Sequence, residues 1–464
     1  MPEDVRIERD SMGEVEVPAG AYWGAQTQRA VENFPVSGLR FPPVFISALG
    51  MVKKAAARVN GELGLLDREL AVAVEKAAGE VMDGTLHHQF VVDIFQTGSG
   101  TSTNMNANEV IANRANQLLG SPLGSNRPVH PNDHVNMGQS SNDVIPTCIH
   151  LAAVQLLHEE LIPALRELAG ELERKSRELD DIVKIGRTHM QDATPIRLGQ
   201  EFSGYAAMAA RSLDRVEGVL PSLSELAIGG TAVGTGINTH REFPARMVRL
   251  LSEMTGHAFR EAANHFEAQG SRDALVETSA MLKTVAVALM KIANDIRFLG
   301  CGPRCGIAEL RLPEVQPGSS IMPGKVNPVI AESLCQVSAQ VVGNDAAVAV
   351  GGMLGHLELN VMMPVMAHNL LQSAGILGAG VRNFTRRCIK DLRPDRERIA
   401  GMVEQSLALC TALSPAVGYD RAAEIAKEAY RSGRTVREVA AERGLLPEDE
   451  LERLLDPRRM TERG

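Results

Sequence analysis

The sequence predicts a mostly α-helical chain of two or three domains, organised around a bundle of long helices. Three observations carry that expectation. At 464 residues the chain exceeds what one compact core accommodates. Hydrophobic residues make up 44% of it but aromatics only 3%, so Ala, Leu, Val and Met supply most of the apolar volume, a mix that suits packed helices better than a β-sandwich. Apolar residues also recur at spacings of three and four over long stretches.

In chain order, residues 1–45 are rich in Pro, Gly and charge and read as an irregular arm. The clearest helical stripe runs through Leu151, Val154, Leu157, Leu161, Leu165, Leu168 and Leu172, with a bend expected at Pro163. A helix is expected near 198–218. A second stripe is Leu275, Leu282, Leu289, Ile292, Ile296 and Leu299. A third starts at Asn327-Pro328, read as an Asn N-cap with Pro at the first helical position, and continues through Ile330, Leu334, Val337 and Val341. Another helix is expected near 364–390. Core packing accounts for the apolar positions of each stripe, and together they predict a bundle core between roughly 140 and 395. Some of these helices are apolar on more than one face, which burial against copies of the same chain would explain. After Arg393-Pro394 the helices shorten, Arg and Glu dominate the surface, and turns such as Gly444-Leu-Leu-Pro447 appear, reading as a small C-terminal domain.

The formal net charge of −9, with no basic run, argues against nucleic acid or an anionic membrane surface as partner. If the substrate is an anion, positive potential must be local. Met1-Pro2-Glu3-Asp4 has neither the basic nor the apolar region of a signal peptide, so none is expected. No membrane span is expected either, because no apolar run reaches ~18 residues. Six scattered cysteines (148, 301, 305, 335, 388 and 410) read as reduced thiols of a cytoplasmic protein.

Four segments rich in Gly, Ser, Thr, Asn and His interrupt the helical pattern. They are Thr97-Gly-Ser-Gly-Thr-Ser-Thr-Asn-Met-Asn106, His130-Pro-Asn-Asp-His-Val-Asn-Met-Gly-Gln-Ser-Ser-Asn-Asp143, Gly186-Arg-Thr-His-Met-Gln-Asp-Ala-Thr-Pro195 and Gly318-Ser-Ser-Ile-Met-Pro-Gly-Lys-Val-Asn-Pro328. Each is expected to lead into a helix, where free backbone N–H groups and the positive end of the helix dipole favour anions. Any one of them could be an ordinary helix cap. Four together, with His189 and Lys325 among them, point to a shared anion site. Lys325 is the only cation of the fourth loop; its plainer reading is a solvated surface lysine. His189 is either a titrating imidazole or a hydrogen-bonded structural one, and Glu332, about one turn into the third stripe, either faces a histidine or supports its helix. Neither His87-His88 nor His158-Glu159-Glu160 has metal-ligand spacing, and Gly98-Ser-Gly-Thr-Ser-Thr lacks the third glycine and preceding strand of a dinucleotide motif. No metal and no nicotinamide cofactor are expected.

The fourth segment resembles the signature of the fumarase/aspartase superfamily. The likeness extends from Val5-Arg-Ile-Glu-Arg-Asp-Ser-Met-Gly13 and Trp23-Gly-Ala-Gln-Thr-Gln-Arg29 to the C-terminus. Within the superfamily, Trp23-Gly-Ala-Gln-Thr-Gln, His130-Pro-Asn-Asp, Ser140-Ser-Asn-Asp, Thr188-His189 and Pro323-Gly-Lys resemble the class II fumarase branch. Aspartases typically have Gln where His189 stands, Thr where Ser141 stands and Ala where Gly324 stands. His134 departs towards the aspartase form, outside the expected catalytic centre.

The resemblance implies a three-domain subunit divided at 1–140, 141–395 and 396–464, whose central bundle joins three others as a tetramer with active sites shared among subunits. It implies cofactor-free, reversible hydration of fumarate to malate, as an anti addition through an aci-carboxylate. In the roles it implies, Ser319 is the base, His189 activates water or protonates the leaving hydroxyl, and Glu332 orients the imidazole. Lys325 and Asn327 hold the developing charge, with Ser99, Thr101, Ser140, Ser141, Asn142 and Thr188 around the dicarboxylate. Arg127, His130, Asn132 and Asp133 match a second anion site of the family; a plain surface turn is the other reading. Two alternatives stay open: an aspartate ammonia-lyase on the same fold, and a non-catalytic structural role, against which intact Ser319, Lys325, Asn327 and His189 count.

Overall fold

The computed structural model describes residues 4–462; the start of the N-terminal segment, Met1-Pro2-Glu3, lies outside the described residues. The chain divides into two compact units, each discontinuous in sequence. One comprises the chain through Pro163, Asp214–Ala286 and Ala339–Gly378; the other comprises Ala164–Leu213, Val287–Ser338 and the chain from Ala379.

In the first unit, strands β1 (Val5–Asp10) and β2 (Gly13–Pro18) precede helices α1 (Ala25–Asn33), α2 (Pro43–Glu62), α3 (Arg68–Met82), α4 (Thr101–Leu118) and α5 (Ser141–Leu156). The expected irregular arm is therefore an antiparallel hairpin, paired from Val5↔Pro18 to Asp10↔Gly13, and a helix. Polar groups tie this region down. The Arg6 guanidinium donates to the carbonyls of Pro18, Ala21 and Trp23 and to Glu8. The buried Glu109 carboxylate accepts the N–H groups of Gly24, Gln26 and Thr27 at the start of α1, a carboxylate at a helix N-terminus. Helix α2 forms behind Pro42-Pro43. Its buried residues Phe45, Leu49, Val52, Ala56 and Val59 follow helical spacing and pack against α3 and α5.

Downstream of α5 the helical path continues through one π-helical turn, Leu157–Leu161, into α6 (Ile162–Glu178). This turn is the form the irregularity at Pro163 takes: proline has no N–H to continue the i→i−4 ladder. All seven members of the first stripe are buried, and so are the six of the second, within the long helix Asp273–Leu299. By length and composition, Ser141–Glu178 would be apolar enough to cross a membrane, contrary to the reading that no run suffices. Most of its most apolar stretch, 61%, is buried inside the protein, as in a core helix.

The second unit contains the antiparallel hairpin β3 (Val183–Thr188) and β4 (Gln191–Arg197). Its C-terminal part has a small apolar core of its own, built on Leu409, Leu413, Ile425, Val439, Leu451 and Leu455. Between the β3–β4 hairpin and residue 384 the chain forms α7 (Leu198–Leu223), α8 (Phe243–Thr255), the short α9 (His265–Gly270), α10 (Asp273–Leu299), α11 (Val329–Met353) and α12 (Met363–Phe384); α8 and α9 belong to the first unit. Helix α11 starts at Val329, with Pro328 rather than Asn327 next to it. The Asn327 side chain is engaged elsewhere, donating to the Gly318 carbonyl.

Candidate active site

In the first unit, three hydroxyls form a chain. Ser99 Oγ lies 2.8 Å from Thr101 Oγ1, which lies 2.7 Å from Ser141 Oγ. They come together because α4 and α5 both begin here. Gly98 lets the first loop enter: a Cβ at this position would lie 1.7 Å from the Val361 carbonyl oxygen. Ser140 caps α5 in a capping box, its Oγ accepting Asn142 N–H while Asp143 accepts Ser140 N–H.

The buried Asp143 carboxylate also accepts Gly229 N–H and Thr231 N–H, each at 2.9 Å, and Asn142 Nδ2 donates to the Ala232 carbonyl at 2.7 Å. Burial pushes Asp143 up to about 6. The glycine-rich segment 229–238 is thereby fixed against the start of α5. Thr101, Ser140, Ser141, Thr231 and Ala232, together with Asn104, Asn136, Gln139 and Asn238, line a cleft of about 330 Å³. The contribution of 229–238 escaped the sequence reading. Its signal is the run Gly229-Gly-Thr-Ala-Val-Gly-Thr-Gly236, in which Thr231 as well as three of the glycines has positive φ.

The turn holding the second anion set also belongs to this unit. Arg127, Asn132 and Asp133 are exposed, and His130 Nδ1 lies 3.2 Å from Asp133 Oδ2.

In the second unit, the third segment is a hairpin and not a loop entering a helix. Thr188 pairs with Gln191, so His189 and Met190 form a two-residue tip, both exposed and with φ of 54° and 60°. That left-handed pair is the backbone of a type I′ hairpin turn, usually built from Asn-Gly. Held by His and Met it is strained, and such strain gathers where function requires it. The strand behind the tip is anchored by ion pairs of Lys184 and Arg187 to the fully buried Glu309, at 3.1 and 2.9 Å, and of Lys184 to Glu201.

The fourth segment closes on itself. Gly318 N–H donates to the Lys325 carbonyl at 2.9 Å, and Asn327 Nδ2 donates back to the Gly318 carbonyl. Inside this ring Ser319 Oγ accepts the backbone N–H groups of Ile321 at 3.2 Å and Met322 at 2.9 Å. Lys325 is exposed, and Glu332 lies in the first turn of α11. Among the described residues no hydrogen bond joins Glu332 to His189 within the chain. A Cβ on Gly318 would lie 2.3 Å from the Lys325 oxygen and 2.7 Å from Asn327 N. Gly318→Ala is therefore expected to force the ring open and lower kcat/KM by about 100-fold. The melting temperature should stay near that of the native chain, since the loop is exposed. Steady-state kinetics beside a thermal melt check both parts.

Comparisons with known proteins bear on the chemistry. A family model described as lyase matches residues 13–343, and one described as fumarase C C-terminus matches residues 409–462. The chain is 57% identical to the class II fumarate hydratase of Halobacterium salinarum, an alignment covering 100% of this chain and 98% of that protein. It is 52% identical to the mitochondrial fumarate hydratase of Rhizopus oryzae over 98% of this chain and 92% of that protein. The crystal structure of recombinant class II fumarase from Schistosoma mansoni matches it with a TM-score of 0.95 at 40% identity, covering 99% of both chains.

Proposed function

Because the chain belongs to the class II fumarate hydratase family and hydrates fumarate reversibly to malate, we propose that Ser319 is the base and His189 the acid of that reaction. The observation that carries the base assignment is the pair of backbone N–H groups directed at Ser319 Oγ. Donors fixed in place before reaction stabilise an alkoxide without reorganisation. In the dehydration direction the alkoxide removes a C3 proton from malate, and the electron pair moves into the neighbouring carboxylate as an aci-carboxylate. The C2 hydroxyl then departs as water, with His189 supplying the proton and Glu332 orienting the ring from another copy of the chain.

Lys325 and Asn327 hold the extra charge. Ser99, Thr101, Ser140, Ser141, Asn142 and Thr188 hold the carboxylates and the hydroxyl. Arg127, His130, Asn132 and Asp133 form a second anion site on an exposed turn, serving access or regulation.

The working unit is a homotetramer, and each subunit is organised as three domains, 1–140, 141–395 and 396–464. Helix α11 supports the assembly: its 25 residues carry only two charges, Glu332 and Asp345, and Val342, Val350 and Met353 are exposed along it. We place the enzyme in the cytoplasm and in the tricarboxylic acid cycle. Six free cysteines suit a reducing compartment, although one of the relatives is mitochondrial.

Fumarate absorbance should fall on adding enzyme to fumarate in water alone, without metal, nucleotide or ammonium. Activity that appeared only with ammonium would move the chain to the ammonia-lyases.

A further inference from the structure

Lys53 lies on the inward face of α2, fully buried. Its Nζ donates to Asn136 Oδ1 at 2.9 Å and Gln139 Oε1 at 3.1 Å, and no carboxylate among the described residues makes an ion pair with it. A buried ammonium with only neutral partners is costly, and packing alone would be served by Met or Leu. Both of its amide partners line the hydroxyl cleft. Asn104, another wall residue, donates to the same Asn136 oxygen at 3.2 Å. Lys53 thus stands one side chain behind the wall that carries Thr101 and Ser141.

We propose that Lys53 is a positioning residue for the dicarboxylate: its ammonium, hydrogen-bonded only to neutral amides, supplies the cleft with positive charge across the Asn136–Gln139 layer, where a substrate carboxylate meets it. The inference rests on the assignment of this cleft to the substrate. It also accounts for how a chain of net charge −9 attracts a dianion. A charge so placed acts through protein rather than salt water, and is screened little.

The titratable groups facing Lys53 are Asp143 and Cys148 of α5. Burial lowers Lys53 to about 7, with those two groups opposing the shift. The charged form, and with it the attraction for an anion, is present below that value and lost as pH rises through it. Binding of an anion should therefore take up protons just above pH 7.

Succinate, a non-reacting dicarboxylate, is the probe. Its affinity is measured by calorimetry from pH 6 to 8.5 in the His189→Asn background, which removes the site's imidazole. The parent should lose affinity through pH 7. Lys53→Met should bind on the order of ten-fold more weakly at pH 6, without that step. Lys53→Arg should restore affinity and hold it level to pH 8.5. A purely structural lysine would alter affinity without removing the pH step.

Weakened binding in Thr101→Ala beside native-like affinity and pH step in Lys53→Met overturns the inference alone. Unchanged binding in Thr101→Ala as well overturns the cleft assignment and the inference with it. If Lys53→Met does not fold, a native pH step in Lys53→Arg overturns the inference. If neither variant folds, absence of proton uptake on succinate binding to the parent at pH 7.5 does so.

Discussion

Ser319→Ala protein is expected to fold, to bind succinate about as tightly as the native chain, and to lose kcat for malate dehydration by about 10²–10⁴-fold, the range of a general base. The side chain is small and uncharged at rest, and its Oγ only receives hydrogen bonds from Ile321 and Met322. Its removal leaves the ring closed by Gly318, Lys325 and Asn327 intact. A group that acts on the proton only in the transition state should register in kcat and not in ground-state affinity. Lys325→Ala is the counterpart. In the proposed roles Lys325, the exposed cation of the same loop, would attract the dianion before reaction and hold the aci-carboxylate during it, so its loss should weaken succinate binding and lower kcat together. Calorimetry and steady-state kinetics on both variants, with fold checked by circular dichroism, separate the two roles. Near-normal kcat in folded Ser319→Ala would transfer the base to His189.

Mixing two inactive proteins, Ser319→Ala and His189→Asn, should regenerate activity. If each site draws its serine and its imidazole from different subunits, random reassembly at equal amounts gives about a quarter of sites with both native groups. The expectation follows from where the parts lie: Ser319 in a closed loop before α11, His189 on a hairpin tip, and Glu332 making no hydrogen bond to His189 within the chain. Reassembly is verified by mass spectrometry before assay. Verified mixed tetramers without activity would place both groups in one subunit's site.

What was legible in the sequence follows one rule. Helices with one apolar face announce themselves, and the stripes from Leu151 to Leu172 and from Leu275 to Leu299 are buried as their spacing implies. The segments that supply the hydroxyl chain stood out as polar helix starts, but singling out Ser99, Thr101 and Ser141 within them took the family resemblance, and their mutual hydrogen bonds appear only in the fold.

Structure held by polar groups was not legible. The hairpin Val5–Pro18 is fastened by Arg6 and Glu8, so its inward residues look like surface. Lys53 sits in Val52-Lys53-Lys54 and reads as solvated until Asn136 and Gln139, more than 80 positions away, fold onto it. The hairpin at 183–197 reads as a loop in the sequence because His189-Met190 lacks the Asn-Gly that advertises such a turn. Compact units stitched from distant segments are likewise invisible to a reading that moves along the chain and cuts it into contiguous domains.

The tip of that hairpin has a consequence for protein engineering. Met190 holds a backbone conformation that glycine adopts freely, and relieving it would yield about 1 kcal/mol of stability. A directed-evolution campaign scored on melting temperature alone would be drawn to Met190→Gly and to His189→Asn beside it, rebuilding the ideal turn. With His189 as the proposed acid, selection for heat resistance at this one corner would run against selection for turnover, and a library screened only for the first would erode the second.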